Sequence, residues 1–383
     1  MWKVIFVVVF AFLLFDCTGR PRLMNFEVFF YAPLGTNINE IGNNYQELKE
    51  VFSNQTVIYN DYIDVPTSIQ IYRNRIFIAD KYNKKVVSFS LSGGDTNVFV
   101  ILNRGEGYEF DIPLNVVVNK YGEIYVLGII TNVMINEKKT NSEDFQNNCC
   151  YIYKFSPGGK FIYAIGENGV NSGRMPLPER IDIDLFDNLY VYIPRYDGDD
   201  KNINVKRYSI SGELTFEFDT KYISKTNYSG DEVYLNFIST IHNLKNDERL
   251  VISSRSYLIR KGEKNFTTPE NFYNVVDVYS ILKNAITRNI FKSRKYYADI
   301  MTVTYDDIIV LSSYDERAKA IKFEFVDISG DNLKKEVYYM PPLSSIYHTV
   351  GYWVDKNGNI YSIVVKGEKY FVILKWKKVK SRT

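Results

Sequence analysis

Cysteine is scarce in this chain, with three among 383 residues, at positions 17, 149 and 150. Cys149 and Cys150 are adjacent, and a bridge between neighbours is strained. Without Cys17 no long-range disulfide is available, so the fold must stand on its apolar core. Histidine is scarcer still, with His242 and His348 alone. No Cys/His cluster has zinc-ligand spacing, and no G-x-S-x-G, H-E-x-x-H or phosphate-cradling glycine loop occurs. The sequence therefore assigns no catalytic residue, no metal ligand and no cofactor. An excess of one charge is also missing, since 47 basic residues face 45 acidic ones. That balance provides no steering field for nucleic acid. The unbroken apolar run at residues 4–15 falls short of the ~20 residues a spanning helix needs.

Aromatic residues are plentiful. They make up 16% of the chain, with 32 Tyr and 25 Phe, within a hydrophobic fraction of 45%. Such a composition favours strands over helices and supports a large core.

At the amino terminus, Met1-Trp2-Lys3 supplies a positive start to the apolar run, the pattern of a secretory signal peptide over residues 1–16. The run ends at Leu14-Phe15-Asp16-Cys17. This resembles the lipobox of bacterial lipoproteins, in which the Cys thiol receives a diacylglyceryl group. Leu14 fits that pattern, whereas Phe15 and Asp16 stand where small residues are usual; spirochaetal lipoproteins are looser there. The resemblance implies lipidation at Cys17 and a lipid anchor in a bacterial cell envelope, on the periplasmic side of the outer membrane or at the cell surface.

Residues 17–54 read as a leader. Residues 26–31 form a candidate strand, and Ile41, Tyr45, Leu48 and Phe52 fall on one face of a short helix laid over the main domain. Beyond it, one hairpin recurs. Residues 112–127 read I-P-L-N-V-V-V-N-K-Y-G-E-I-Y-V-L, with Val116 and Val118 as core positions and Gly122 as the turn pivot. Copies lie at 65–80, 177–193 and 348–364, with weaker ones at 235–253 and 298–312. Moving residues 119–125 along by 65 or 236 positions lands on the same turn-then-aromatic pattern, at 184–190 and 355–361. Each hairpin is followed by a third strand and, except in the last unit, a fourth. Six four-stranded units at irregular spacing predict an all-β fold, a six-bladed β-propeller over residues 55–376, followed by a basic tail at 377–383. The stretch R-I-F-I-A-D-K-Y-N-K-K-V-V-S-F-S-L-S-G-G at 75–94 resembles the NHL repeat. The last unit supplies only three strands, and residues 55–60 (Q-T-V-I-Y-N) are expected to close the ring, with 26–31 as the second candidate.

The two histidines are placed near the starts of innermost strands but in different layers. The Asp197-Gly198-Asp199-Asp200 run reads as a solvated acidic loop, because Lys201 interrupts the series of oxygen ligands a calcium loop needs. Insertions at 131–148, 195–204 and 262–274 all fall between second and third strands, so they collect on one face as a recognition surface. The resulting expectation is an envelope-anchored, non-catalytic scaffold, a monomer or one subunit of a complex. It would bind envelope proteins through one propeller face and the membrane through its lipid, with no nucleic-acid partner. Its plan is similar to that of lipoprotein propellers that assist outer-membrane protein assembly, although those have eight blades and a different repeat. Two alternatives stay open: a lactonase- or lyase-like propeller enzyme, with acidic and amide groups meeting in the channel, and a carbohydrate or small-ligand module with an aromatic-lined pocket.

Overall fold

A computed structural model describes residues 22–45, 48, 63–91, 98–130, 149–197, 200–220, 232–243, 249–260, 272–280, 282–283, 285–293, 298–330, 332–344 and 346–378. The first strand is β1 (Arg22–Pro33). Blade one is β2 (Ile69–Tyr72), β3 (Arg75–Asp80), β4 (Lys85–Ser90) and β5 (Phe99–Leu102), followed by a small hairpin, β6 (Arg104–Gly105) and β7 (Tyr108–Glu109). Blade two is β8 (Ile112–Val118), β9 (Ile124–Ile130), β10 (Cys149–Phe155) and β11 (Phe161–Gly166), with β12 (Gly169–Val170) on its outer edge. Blade three is β13 (Arg180–Ile183), β14 (Leu189–Asp197), β15 (Asp200–Tyr208) and β16 (Leu214–Asp219). Blade four is β17 (Glu232–Asn243), β18 (Arg249–Arg260), β19 (Phe272–Ser280) and β20 (Ala285–Ser293). Blade five is β21 (Asp299–Val303), β22 (Ile308–Asp315), β23 (Ala320–Asp327) and β24 (Lys334–Met340), and blade six contributes β25 (Tyr347–Val354), β26 (Ile360–Lys366) and β27 (Tyr370–Lys378). Each blade is an antiparallel meander, and successive blades pack face against face. The chain is an all-β propeller.

The repeated turn has a specific chemistry. Asn119, Asp184, Thr304 and Asp355 each end an innermost strand. In each case the side-chain oxygen accepts hydrogen bonds from the backbone N–H groups two and four residues on, at 2.8–3.3 Å. The fourth residue of each turn, Gly122, Asp187, Asp307 or Gly358, sits at φ of 85°, 65°, 57° or 77°. This is a three-residue hairpin loop closed by a left-handed residue. The side chain takes up N–H groups that the ladder leaves free, which is why Asn, Asp or Thr stands at that position. The pattern that aligns these segments in the sequence is thus a hydrogen-bonding motif.

The innermost strands share a second device. Register shifts interrupt β8 at Pro113/Asn115, β17 at Ile238/Thr240, β21 at Ile300/Thr302 and β25 at Thr349/Gly351. A bulge adds local twist and bends the strand, which suits the crowded centre of a radial array. The inner edge of blade two is tied to its neighbour where Ser68 Oγ accepts the Val116 N–H at 3.0 Å.

The ring is closed by β1, not by residues 55–60, which lie outside the described residues. β1 runs antiparallel to β27 from Met24 opposite Lys378 to Pro33 opposite Tyr370. It therefore fills the fourth position of blade six, and the second sequence candidate, residues 26–31, lies within it. A register shift at Val28/Phe30 sends Phe29 and Phe30 to the blade-one side, where they pack with Ala32 on Ile69, Ile78 and Ile373. Met24 points the other way, into a cluster with Phe323, Phe325, Tyr338 and Trp376. At its start β1 also pairs in parallel with β24, Arg22 with Tyr338 and Leu23 with Tyr339, which joins blades five and six into one sheet.

The described residues of the leader beyond β1 are clipped onto blade one. Ile41 is fully buried, and Tyr45 and Leu48 pack on the same cluster, as their spacing predicted. The Leu48 N–H donates to the Asn44 carbonyl, one turn of helix; Phe52 lies outside the described residues. Lys85 Nζ, nearly inaccessible, donates to the carbonyls of Asn37, Ile38 and Glu40 at 2.7–3.1 Å. The buried Asp80 carboxylate accepts the Gly42 N–H at 3.0 Å. Burial pushes the Asp80 carboxyl up and the Lys85 ammonium down, each countered by the other's charge.

Candidate functional site in the channel and on the two faces

The inner strands of blades one, two, three, five and six meet around a channel. The described part of the channel holds a cavity of about 190 Å³. Side chains reach it from blade one (Gln70), blade two (Asn115), blade three (Arg180, Asp182), blade five (Thr302, Tyr305) and blade six (Trp353, Lys356). These positions sit toward the 1–2 turns, because β8, β13, β21 and β25 all end there. Lys356 Nζ lies 2.5 Å from Asp182 Oδ2, with both side chains mostly buried. Blades three and six stand opposite one another in a six-membered ring, so this ion pair spans the channel. The Tyr305 N–H donates to the Lys356 carbonyl at 3.0 Å, which ties blade five to the same turn.

Electrostatics define what the channel can do. Burial pushes the Tyr305 phenol up to about 12, helped by the carboxylates of Asp182, Asp355, Asp187 and Asp184. Tyr305 therefore stays protonated at neutral pH and is no base. The Asp182 carboxylate is engaged by Lys356. The Arg180 guanidinium lies over Tyr192, 4.3 Å from the ring centroid, and Trp353 stacks on Tyr361 at 4.7 Å. Asn115 Oδ1 is buried without a hydrogen-bond partner. The arrangement is a brace across the ring, and among the described residues that line it Asn115 offers a buried amide oxygen without a partner.

The two histidines stand at opposite ends of their strands. His348 is the second residue of β25, whereas His242 is the last but one of β17. The expectation that both lie near strand starts holds for His348 only. β17 extends much further outward than its sequence copies, pairing with β18 as far as Glu232 opposite Arg260, so His242 comes at its far end. Among the described residues no three His, Cys, Asp or Glu side chains come together. The buried Cys150 Sγ lies 3.4 Å from the carbonyls of Met175 and Pro176. Cys17 lies outside the described residues.

Of the three expected insertions, 131–148 does connect the second and third strands of blade two, β9 and β10. The 262–274 insertion corresponds to the connection between β18 and β19, and the residues of both connections lie outside the described ones. The 195–204 insertion is not a loop. β14 and β15 continue their ladder to Asp197 opposite Asp200, and Lys201 Nζ meets Glu179 at 2.8 Å. Of the Asp-Gly-Asp-Asp run, Asp197 and Asp200 form the last pair of that ladder.

The two faces of the ring differ. One carries the 1–2 and 3–4 turns, including the end of β27 and, opposite it, the start of β1. The other carries the 2–3 connections. On that second face blade six carries a groove of about 340 Å³, lined by Val28, Tyr31, Tyr347, Lys366, Tyr370 and Val372. Sequence reasoning missed both this groove and the Asp182–Lys356 pair. Each needs residues from strands far apart in the chain, although Asp182 and Lys356 flank turn caps that the aligned copies already mark.

No family model and no curated protein matches the chain. Several solved structures are similar in overall course. A gluconolactonase from Xanthomonas campestris is 10% identical, with 79% of this chain and 82% of that one covered and a TM-score of 0.39. A putative oxidoreductase (glucose dehydrogenase) from Thermus thermophilus is 12% identical, with 82% and 97% covered and a TM-score of 0.40. The WD40 domain of Toxoplasma gondii coronin is 6% identical, with 95% and 89% covered and a TM-score of 0.43.

Proposed function

We propose that this chain is a lipid-tethered protein of a bacterial envelope whose propeller is a non-catalytic platform for protein partners. The face bearing the 1–2 turns looks toward the membrane, and the face bearing the 2–3 connections looks away. The supporting observation is the antiparallel pairing of β1 with β27, which starts β1 at the turn face. Cys17 lies five residues before Arg22 (22 − 17), a reach of about 17 Å at full extension. A lipid on Cys17 would hold the turn face close to the bilayer. The connections at 131–148 and 261–271 and the aromatic groove then point toward other envelope proteins. Within the channel, a protonated phenol and a carboxylate already paired with a lysine suit a structural brace better than an acid–base pair.

Labelling growing cells with radioactive palmitate, with and without Cys17→Ala, tests the tether. The reading expects label only in the unaltered protein, and equal labelling of both forms rejects it. Affinity capture from detergent-solubilised envelopes tests the platform. Stable co-purification of defined envelope proteins is expected, and retention of a metal or sugar with no protein partner would favour an enzyme or a small-ligand module.

A further inference from the structure

The capped 1–2 turns leave one side-chain position free to vary. The side chain of each cap takes up the N–H two residues on, at Tyr121, Phe186, Asp306 and Asn357. Only the backbone of that residue serves the turn, so the cap does not dictate its side chain. Blades five and six place the exposed Asp306 and Asn357 there. Blades two and three instead place Tyr121 and Phe186, at 58% and 63% exposure. Leu185 beside Phe186, and Ile210 in the 3–4 turn of blade three, are exposed as well.

These apolar tips belong to one rigid patch. The Lys120 N–H donates to Asp187 Oδ1 at 3.1 Å, and the Lys120 ammonium meets Asp187 Oδ2 at 2.7 Å. That link binds the blade-two turn to the blade-three turn, with Tyr121 next to one end of it and Phe186 next to the other. The same ammonium lies 5.1 Å from the centroid of the Tyr121 ring. On the blade-one side the Tyr72 hydroxyl donates to the Lys120 carbonyl at 2.8 Å, and the Arg73 guanidinium stands 5.1 Å from the Tyr72 centroid. Exposed aromatic rings with cations beside them suit the boundary between lipid headgroups and acyl chains.

Where the chain enters this face says what lies against it. β1 begins there at Arg22, and only residues 16–21 separate it in sequence from the apolar run at 4–15. That run, or a lipid on Cys17, brings a bilayer to the seam between blades five and six. Blades two and three stand on the opposite half of the ring. A single attachment at the seam leaves the propeller free to tilt, and a second contact across the ring holds the face flat.

We propose that Tyr121, Leu185 and Phe186 are a second membrane contact, which seats the turn tips of blades two and three in the bilayer surface. The proposal rests on the reading that the turn face looks toward the membrane, and it supplies the contact that fixes that orientation. Such a contact reaches about 5–10 Å into the boundary between headgroups and acyl chains.

The test adds a tryptophan at the tip, as Phe186→Trp, or on the other face, as Tyr314→Trp, an exposed site beside the 2–3 turn of blade five. Full-length variants, checked for folding by circular dichroism, are incorporated into vesicles of phosphatidylcholine and phosphatidylglycerol. The acyl chains are either plain or brominated near the headgroup, and the emission of the unaltered protein is subtracted. The indole added at 186 should emit to the blue of the one at 314 and be quenched by bromine, and the one at 314 should not be quenched. Tyr121→Trp should behave like Phe186→Trp and lose most of its quenching when Leu185→Ser and Phe186→Ser are added. An indole at 186 that bromine does not quench would overturn the proposal. A blue shift without quenching would do so too, because a protein surface, such as a second copy of this chain, would then cover the tips. Equal quenching at 186 and 314, or failure of the full chain to associate with the vesicles, would also overturn it. Palmitate label on Cys17 without quenching at 186 keeps the tether and removes this contact. Quenching at 186 without palmitate label does the reverse, so the two failures are distinguishable.

Discussion

Met24→Ala tests whether β1 is part of the propeller or a leader laid over it. Met24 is 1% exposed and packs against Phe323, Phe325, Tyr338 and Trp376, at the seam between blades five and six. Truncating a buried methionine removes its transfer free energy and leaves a cavity, which together cost about 2–5 kcal/mol. The cavity is expected to stay open, because Trp376 is held by the hydrogen bond from its Nε1 to the buried Ser362 Oγ at 2.7 Å. Val28→Ala, on the same strand but 53% exposed, is the control and should change stability by no more than about 0.5 kcal/mol. Urea unfolding followed by tryptophan fluorescence supplies the assay. A midpoint for Met24→Ala well below that of Val28→Ala, at unchanged slope, is expected. Equal midpoints for the two variants would refute the placement of β1 in blade six.

Three other expectations concern the interior. Lys85→Met should lower stability by about 3–5 kcal/mol, because it leaves the buried Asp80 carboxylate and three leader carbonyls uncompensated; a thermal midpoint within a degree or two of the unaltered protein would contradict this. Gly122→Ala places a side chain at φ of 85°, with its Cβ 3.3 Å from the Tyr72 ring, and should cost about 1–2 kcal/mol by urea unfolding. Glu324 is buried, which raises its carboxyl, but Lys322 at 2.7 Å and Lys335 at 2.5 Å outweigh burial and hold the pKa below its ordinary value. A depressed pKa contributes stability above the ordinary carboxylate range that is lost as pH falls through the lower folded value. The stability gap between Glu324→Gln and the unaltered protein should therefore be widest near neutral pH and close in acid. A gap that widens as pH falls would contradict the assignment.

How much was legible in the sequence differs between elements. The turns were legible, because a residue that caps its own hairpin leaves a fixed trace: Asn, Asp or Thr first, a left-handed residue three on, an apolar pair after it. That trace located blades two, three and six before any coordinates. The closing strand was not, because residues 55–60 and 26–31 both have strand composition, and only tertiary packing decides which edge is filled. The bulge at Phe29 also breaks the alternation that would have marked β1 as two-faced. Blade three misled for a related reason. An Asp-Gly-Asp-Asp run reads as a loop, yet two of its residues are the last rungs of a ladder. The channel brace joins residues 174 positions apart, and no local pattern encodes that meeting; it follows only from the blade count that sets blade three opposite blade six.

The most direct test of the tethered platform is the depth of its two faces relative to a bilayer. A fluorophore placed at Asn357, in the 1–2 turn of blade six, or at Glu368, in its 2–3 turn, can be read in the lipidated protein reconstituted into vesicles that carry a headgroup quencher. Both sites are exposed. Strong quenching at 357 with little at 368 is the expected result. Equal quenching at the two sites, or stronger quenching at 368, would contradict the orientation and the platform function built on it.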